Sequence, residues 1–450
     1  MIDECLVVQE SQPLHGVVEL TGAKNAVLVI IASLILTHGK SVLYNVPNSA
    51  DVRCILLLMQ ELGAQVLFDS SKKIVTIDTA TINQFEVSAE IMNKMRASIL
   101  VMGPLLARFG KARVALPGGC LIGARPIDYH LNGFRSMGVL LEENKPFVNA
   151  SIDDKPIMHS QGRIILEYPS VGATENLMML AVLRKGQTTI VNAAFEPEVL
   201  DLIDVLRKMG ASIHCDAGAV MVINGVDSLS PIEHTVIPDR LEAGGLLLAA
   251  AITQGSLHLP NARADHLDIF LEKLKEMGHE IMVGTNAQSG LPMQGIKIIA
   301  TEKPSAVAIK TGPFPGFPTD LQAPMMAMLA VCKGVSTVEE TVFENRLMHV
   351  PELLKMGAQI TVSGQKAVVR GVEFLYGAEL IATDIRASCS LVLAALRAQG
   401  LSKITNVHHW RRGYDKLEEK LRFIGAPIKL VTKSEAPAIV PNSAQFLNRS

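Results

Sequence analysis

Aromatic side chains are scarce in this 450-residue chain, with 1 Trp, 5 Tyr and 13 Phe, although 48% of the residues are hydrophobic. The core must therefore be built from Ala, Val, Ile, Leu and Met. There is no excess of either charge. Lys and Arg number 42 against 44 Asp and Glu, a formal net charge of −2. That balance argues against a nucleic-acid coat or a polybasic membrane anchor, and makes any arginine cluster a local site. No C-x-x-C pair occurs among the six cysteines (Cys5, Cys54, Cys120, Cys215, Cys332, Cys389), so neither a zinc site nor a disulfide framework is indicated. The longest uncharged apolar run, Ala26 to Thr37, falls short of the about 20 residues that span a bilayer. The opening Met1-Ile2-Asp3-Glu4 lacks the basic n-region of a signal peptide. These absences lead us to expect a cytoplasmic protein with reduced thiols and neither membrane nor nucleic acid as partner.

What is present is a hidden period. Six short signatures each close a helical pattern with glycine: Glu61-Leu62-Gly63, Ser136-Met137-Gly138, Lys208-Met209-Gly210, Glu276-Met277-Gly278, Lys355-Met356-Gly357 and Phe423-Ile424-Gly425. Glycine is the expected helix stop, because it tolerates φ > 0. A second series, Gly39, Gly110, Gly186, Gly255, Gly334 and Gly400, ends helical stretches that are apolar all round, such as Gly244 to Ile252. Helices without a polar face should be buried on every side. The later helix of each unit is amphipathic and should lie against a sheet with one face in water. Six such units predict an α/β protein of two domains, each with three buried helices wrapped by sheets, an inside-out barrel. The expected boundaries are 22–237 for the first barrel, 1–21 plus 238–432 for the second, and 433–450 for a mobile tail. The strand-like Cys5 to Leu20 is expected to pair with the last unit.

Unusual residues recur at equivalent corners. Buried helices start with Gly22-Ala23-Lys24-Asn25, Met95-Arg96-Ala97-Ser98, Ser170-Val171-Gly172-Ala173-Thr174, Asp239-Arg240, Pro318-Thr319-Asp320 and Asp384-Ile385-Arg386. Helix N-termini offer unpaired N–H groups and partial positive charge. With Lys24, Arg96, Arg125, Arg346, Arg386 and Arg412 they suit a substrate bearing several negative charges, such as phosphates and a carboxylate. The bland alternatives are ordinary: an arginine in a first helical turn is usually a surface residue, Asp320 reads equally as an N-cap, and Asp128 and His130 read as solvated helix residues. The longest span between the two glycine series lies in the second unit, between Gly110 and Gly138, and holds Pro117-Gly118-Gly119-Cys120-Leu121-Ile122-Gly123-Ala124-Arg125-Pro126. A thiol on a glycine-rich polar loop beside a guanidinium is placed for reactivity. The other five cysteines lie in apolar or strand-like surroundings and read as inert.

Ordered blocks from Gly22-Ala23-Lys24-Asn25-Ala26 through Leu116-Pro117-Gly118-Gly119-Cys120, Phe317-Pro318-Thr319-Asp320, Phe343-Glu344-Asn345-Arg346 and Asp384-Ile385-Arg386-Ala387-Ser388 to Arg412-Gly413-Tyr414 cover about residues 1–430. Through them the chain closely resembles the UDP-N-acetylglucosamine 1-carboxyvinyltransferases. The resemblance implies two inside-out α/β barrels, each of three βαβαββ repeats, with the site in the cleft between them. It implies transfer of enolpyruvate from phosphoenolpyruvate to the 3-hydroxyl of UDP-N-acetylglucosamine with release of phosphate, the first committed step of peptidoglycan synthesis, without metal or organic cofactor. On the family's pattern Cys120 delivers a proton to C3 of phosphoenolpyruvate and can form an adduct with it. Asp320 matches the general base, and Lys24, Arg125 and Arg412 match the phosphate-holding cations. Arg346 and Arg386 match supports for the carboxylate and the closed state. Asn25, Arg96, Arg125, Pro126, Ile127, Asp128, Tyr129, Tyr168, Pro169, Ser170, Val171, Gly172 and Val342 match nucleotide-sugar contacts. The chain departs from common family patterns at Asn48-Ser49-Ala50, where a lysine is frequent, at Arg411, where an acidic residue is common, and at Tyr168.

Two other readings are open. A shikimate-3-phosphate enolpyruvyltransferase shares fold and donor but not the Pro-Gly-Gly-Cys loop. A non-catalytic ring of six repeats explains the period, but not the loop in one repeat or the arginines at the corners. The expected partners are the two small-molecule substrates, with the chain a monomer or a weak homo-oligomer.

Overall fold

The computed structural model describes residues 4–94, 96–115, 127–144, 146–152, 161–284 and 294–438, and the side chains of all of these except 92–98 and 161. They fall into two compact units. The N-terminal unit runs from Gly22 to Ile237, and the C-terminal unit joins the residues up to Thr21 to those from Pro238 onward.

Burial, not helix propensity, makes the central helices. In Lys24–Ser33 the β-branched Val27, Val29, Ile30 and Ile31 are intrinsically poor helix formers. Every residue from Ala26 to Ser33 is nevertheless buried. Hiding each large aliphatic side chain stabilises the fold by about 1.5–3 kcal/mol, which outweighs a propensity penalty of a few tenths. The helices Met102–Phe109 and Val171–Ala181 pack against each other in the same unit. In the C-terminal unit Arg240–Ile252, Gln322–Leu329 and Ile385–Arg397 all touch one another. Around them lie amphipathic helices such as Asp268–Glu276, which buries Phe270, Leu271 and Leu274 and leaves its charged face in water.

The helix-ending glycines behave as the sequence predicts, with one exception. Gly39, Gly63, Gly110, Gly138, Gly186, Gly210, Gly278, Gly334, Gly357, Gly400 and Gly425 all have positive φ. At Gly255 the left-handed residue is Gln254 instead (φ 60°). There glycine is required by space, since a Cβ would sit 1.9 Å from the Leu14 carbonyl oxygen.

Sheets wrap the helices. In the N-terminal unit they are the four strands ordered Glu233–Thr235, Lys40–Tyr44, Ile74–Asp78, Gln65–Asp69, the three strands Lys111–Ala115, Phe147–Ile152, Val139–Asn144, and the four strands ending in Gln161–Ile165. The C-terminal unit carries three four-stranded sheets of the same pattern. In each four-stranded sheet one edge strand is parallel and the rest antiparallel. The parallel strand leads into a buried helix, the crossover connection that parallel pairing requires.

Two of these edge strands are exchanged along the chain. His15–Val17 leads into the first helix of the N-terminal unit yet pairs with Ser256–Leu259. Glu233–Thr235 leads into the first helix of the C-terminal unit yet pairs with Lys40–Tyr44. The expected single strand over Cys5–Leu20 is thus two. Glu4–Gln9 pairs with Leu401–Thr405 and Ile428–Thr432 of the last repeat, but His15–Val17 joins the fourth repeat.

Candidate active site

In the N-terminal unit the candidate residues gather at the starts of the buried helices. Gly22 precedes the first, and a Cβ there would lie 1.9 Å from the Asn45 carbonyl oxygen, so only glycine lets the chain turn in. Lys24 and Asn25 occupy the first turn, which has no side-chain cap from Ala23. The Lys24 ammonium is 3.5 Å from Asp51, and both side chains are largely buried. At the third helix Ser170 is the N-cap, accepting from the Ala173 N–H at 3.4 Å, and the Ser170 N–H donates to the Tyr168 carbonyl at 2.7 Å. This tight Tyr168-Pro169-Ser170 turn aims Val171 and Gly172 into the helix start.

Gly172 is small because His130 lies over it: a Cβ would be 3.2 Å from the imidazole. His130 is buried, not solvated as the sequence alternative had it, whereas Asp128 is exposed. The Asn176 amide donates to the Ile99 carbonyl at 2.9 Å and meets His130 Nδ1 at 3.1 Å, while its oxygen accepts from the Gly103 N–H at 2.6 Å. With one amide hydrogen for each partner, Nδ1 must accept, which puts the imidazole proton on Nε2. Asn176 thus locks three segments together. The signal for it was a polar residue inside an apolar helix. Ile127 and Tyr129 pack half-buried on the core beside Asp128.

The C-terminal unit holds a charge cluster. Asp320 sits in the Thr319–Leu321 turn, and its Oδ1 accepts from Arg386 Nε at 2.6 Å and from Arg346 Nη2. It is not a cap: the N-cap of that turn is Pro318. Arg346 is 3% exposed, with its guanidinium 4.7 Å from the Phe343 ring centroid. Its Nε and Nη1 have no hydrogen-bond partner among the described residues. Burial, joined by the neighbouring Arg386 charge, pulls its pKa down against the pull of Asp320, Asp384 and Glu340. For Arg386 burial works against the cation too, but Asp320 and Asp384 prevail and its pKa is raised.

Supporting groups orient this cluster. Asp384 caps the Ile385–Arg397 helix, accepting from the N–H groups of Arg386 (2.8 Å) and Ala387 (3.3 Å). Glu340 is 1% exposed and accepts from Thr319 Oγ1 at 2.9 Å and from the N–H groups of Val342 (2.9 Å) and Phe343 (3.2 Å). It therefore fixes Val342, and sequence reading missed it. Arg412 lies in the last turn of His408–Gly413. A Cβ on Gly413 would come 2.2 Å from Ile385 Cγ2, so glycine lets this helix dock on the start of the Asp384-capped one. Beyond it Tyr414 and Cys389 share a hydrogen bond, and burial pushes that thiol up to about 11. Arg411, the departure from the family pattern, donates to Glu4 at 2.8 Å.

Cys120, Arg125 and Pro126, and the side chain of Arg96, lie outside the described residues. Among the described residues, Asp201, Asp204 and His234 are the one group with metal-ligand atoms close together. Lys208 already sits 3.2 Å from His234 Nδ1 and 2.7 Å from Asp204, so the cluster is balanced as an ion-pair network. No helix among the described residues is long and apolar enough to cross a membrane.

The family model for EPSP synthase (3-phosphoshikimate 1-carboxyvinyltransferase) matches residues 8–421. The UDP-N-acetylglucosamine 1-carboxyvinyltransferase 1 of Caldanaerobacter subterraneus is 47% identical over 422 residues, covering 94% of this chain and 98% of the relative. A UDP-N-acetylglucosamine 1-carboxyvinyltransferase 2 of Carboxydothermus hydrogenoformans is 47% identical over 429 residues, covering 95% and 100%. Among solved structures the enolpyruvyl transferase NikO from Streptomyces tendae superposes with a TM-score of 0.83 at 23% identity, over 97% of this chain and 100% of that one. An EPSP synthase from Acinetobacter baumannii gives 0.74 at 16% identity, over 95% and 100%. The fold is therefore that of the enolpyruvyl transferases, two inside-out α/β barrels, and the chain is an enzyme of that class. Within the class it belongs to the UDP-N-acetylglucosamine 1-carboxyvinyltransferase family.

Proposed function

We propose that this protein transfers the enolpyruvyl group of phosphoenolpyruvate to the 3-hydroxyl of UDP-N-acetylglucosamine in the cytoplasm, releasing phosphate and opening peptidoglycan synthesis. The observation that carries this reading is the Asp320 carboxylate bracketed by Arg346 and Arg386, in a chain of this family. A proton added to C3 of phosphoenolpyruvate makes C2 electrophilic. The sugar oxygen bonds to C2 as Asp320 takes its proton. The C2–O bond to phosphate then breaks as a C3 proton leaves, which restores the double bond and yields an enolpyruvyl ether and phosphate.

Cys120 supplies the C3 proton, and Lys24, Arg125 and Arg412 hold the phosphate. Arg346 and Arg386 hold the carboxylate of the donor. The unpartnered Nε and Nη1 of a nearly fully buried Arg346 support that role, because buried N–H groups without an acceptor are costly and an anion relieves them. In this structure both guanidiniums rest on Asp320. Donor binding draws them off and frees it. Asn25, Arg96, Arg125 to Tyr129, Tyr168 to Gly172 and Val342 contact the nucleotide sugar.

Phosphate release from phosphoenolpyruvate, measured with and without UDP-N-acetylglucosamine, tests the assignment. Release that depends on the sugar nucleotide, and its loss in Cys120→Ser, are expected. Release with shikimate 3-phosphate in place of the sugar nucleotide would sink the proposal and favour the sibling activity.

A further inference from the structure

The two units differ at the pole opposite the candidate site residues, where the buried helices end. In the N-terminal unit this pole is plugged by a side chain. Arg108 lies two residues before Gly110, and its Nη1 donates to the carbonyls of Ile35 (3.0 Å) and Thr37 (2.9 Å). Its Nη2 donates to those of Thr79 (3.0 Å) and Ile82 (3.4 Å). One planar cation thus satisfies four carbonyls from the first helix end and the segment after the sheet.

The C-terminal unit repeats that backbone without the plug. The Thr79 N–H donates to the Gly39 carbonyl at 2.9 Å, and the Ala300 N–H to the Gly255 carbonyl at 2.9 Å, so the two repeats are in register there. Two residues before the second helix-ending glycine, where the N-terminal unit has Arg108, stands Cys332. Its thiol is too short to cross the pole and instead turns back to the Met328 carbonyl at 3.2 Å. The space is a cavity of about 340 Å³, lined by Ala251, Glu302, Lys303, Cys332, Gly334 and Glu373 among others. Ala251 corresponds to Ile35, and Lys303 to Ile82, so residues at two of the four acceptor positions line the cavity. The ends of helices Arg240–Ile252 and Gln322–Leu329 add partial negative charge.

We propose that this cavity binds a small planar cation of the guanidinium class, in the place that Arg108 fills in the N-terminal unit. A carbonyl has two lone pairs, so Ala251, which already accepts from the Gln254 N–H at 3.2 Å, can accept again. Lys303, Lys333 and Arg397 also line it, as do Glu302 and Glu373. Arg397 is already 3.8 Å from Glu10. The two lysines are exposed, so solvent and salt screen their charges.

The test uses the full chain with ethylguanidinium at low millimolar concentration, beside tetramethylammonium, which has the charge without N–H donors, and phosphate. Saturable binding of ethylguanidinium alone is expected. At ten times its Kd the unfolding midpoint should rise by about 2–4 °C. Cys332→Arg should raise the midpoint unaided and abolish the binding. Amide resonance mapping of the wild-type chain needs no variant, and its shifts should centre on residues 251–254, 300–304 and 332–334. Equal binding of tetramethylammonium, binding of phosphate instead, shifts centred elsewhere, or no saturable binding would each overturn the proposal.

Discussion

Asp320 carries two guanidinium contacts and yet keeps 19% of its side chain exposed. It is thus poised between a structural ion pair and a reactive carboxylate. Asp320→Asn keeps the shape and removes both the charge and the basicity. Steady-state kinetics should show kcat lowered by about 10²–10⁴-fold, the range for loss of a general base. A kcat within a few-fold of wild type would make Asp320 only a counter-ion for Arg346. His349 makes a different claim. It is 1% exposed, and burial holds its pKa down at about 4. Asp384 and the backbone of Arg346 pull that value up and the Arg346 charge pulls it down, each more weakly than burial. His279, 3% exposed, is also held down to about 4 by burial. A histidine depressed in the folded state binds more protons when unfolded. Stability is therefore full above the unfolded value near 6.5 and falls as pH drops toward 4. Each such histidine steepens the fall by at most about 1.4 kcal/mol per pH unit. Unfolding midpoints across pH 4–7 should show this slope, and His349→Gln should flatten it. An unchanged slope would remove His349 as a source.

At the scale of elements, the docking of His408–Gly413 onto the start of Ile385–Arg397 decides where Arg412 stands. Gly413→Ala places a methyl against Ile385 Cγ2, and the backbone must move to admit it. Because Arg412 is the preceding residue, we expect kcat/KM for phosphoenolpyruvate to fall at least tenfold, since a displacement of about 1 Å can cost 10²-fold. The midpoint should move only a few degrees. Normal kinetics with a large loss of stability would mean that the contact serves packing alone. Elements of this kind were legible to different degrees. The buried helices and their glycine stops were readable because apolar periodicity and φ > 0 are local properties of the chain. Lys24, Asp320, Arg346 and Arg386 were readable as residues, since charge at a helix start is visible in sequence. Their pairing was not, because Asp320 meets Arg386 across 66 positions. Glu340 and Asn176 escaped for the same reason. Glu340 reaches back 21 positions to Thr319, although its bonds from Val342 and Phe343 are local.

For the whole molecule, the inner strand Glu4–Gln9 ties the first residues of the chain to its last repeat. Leu6 is fully buried and stands opposite Ile404 on one side and Leu430 on the other. The C-terminal unit therefore depends on a segment more than two hundred residues away in sequence, while the N-terminal unit, Gly22 to Ile237, does not include it. Leu6→Ala should cost about 2–5 kcal/mol, as other large-to-small changes in cores do. That cost falls on the C-terminal unit, because the lost contacts are there. Limited proteolysis at rising temperature, with fragments assigned by mass, reads the difference. Cleavage within 238–438 should appear at lower temperature than in the wild type, while cuts within 22–237 keep their wild-type onset. Simultaneous loss of both units would show that they unfold as one cooperative block. Earlier cleavage in the N-terminal unit would contradict the strand pairing itself, because no residue between Gly22 and Ile237 pairs with Glu4–Gln9 among the described strands. The choice of Leu6 matters for this reading. Side chains alternate along the strand: Leu6 and Val8 lie on the face that joins the large hydrophobic cluster, while Cys5 and Val7 are buried on the other face. A change at exposed Gln9, on the same strand, is the matched control and should leave both onsets where they were.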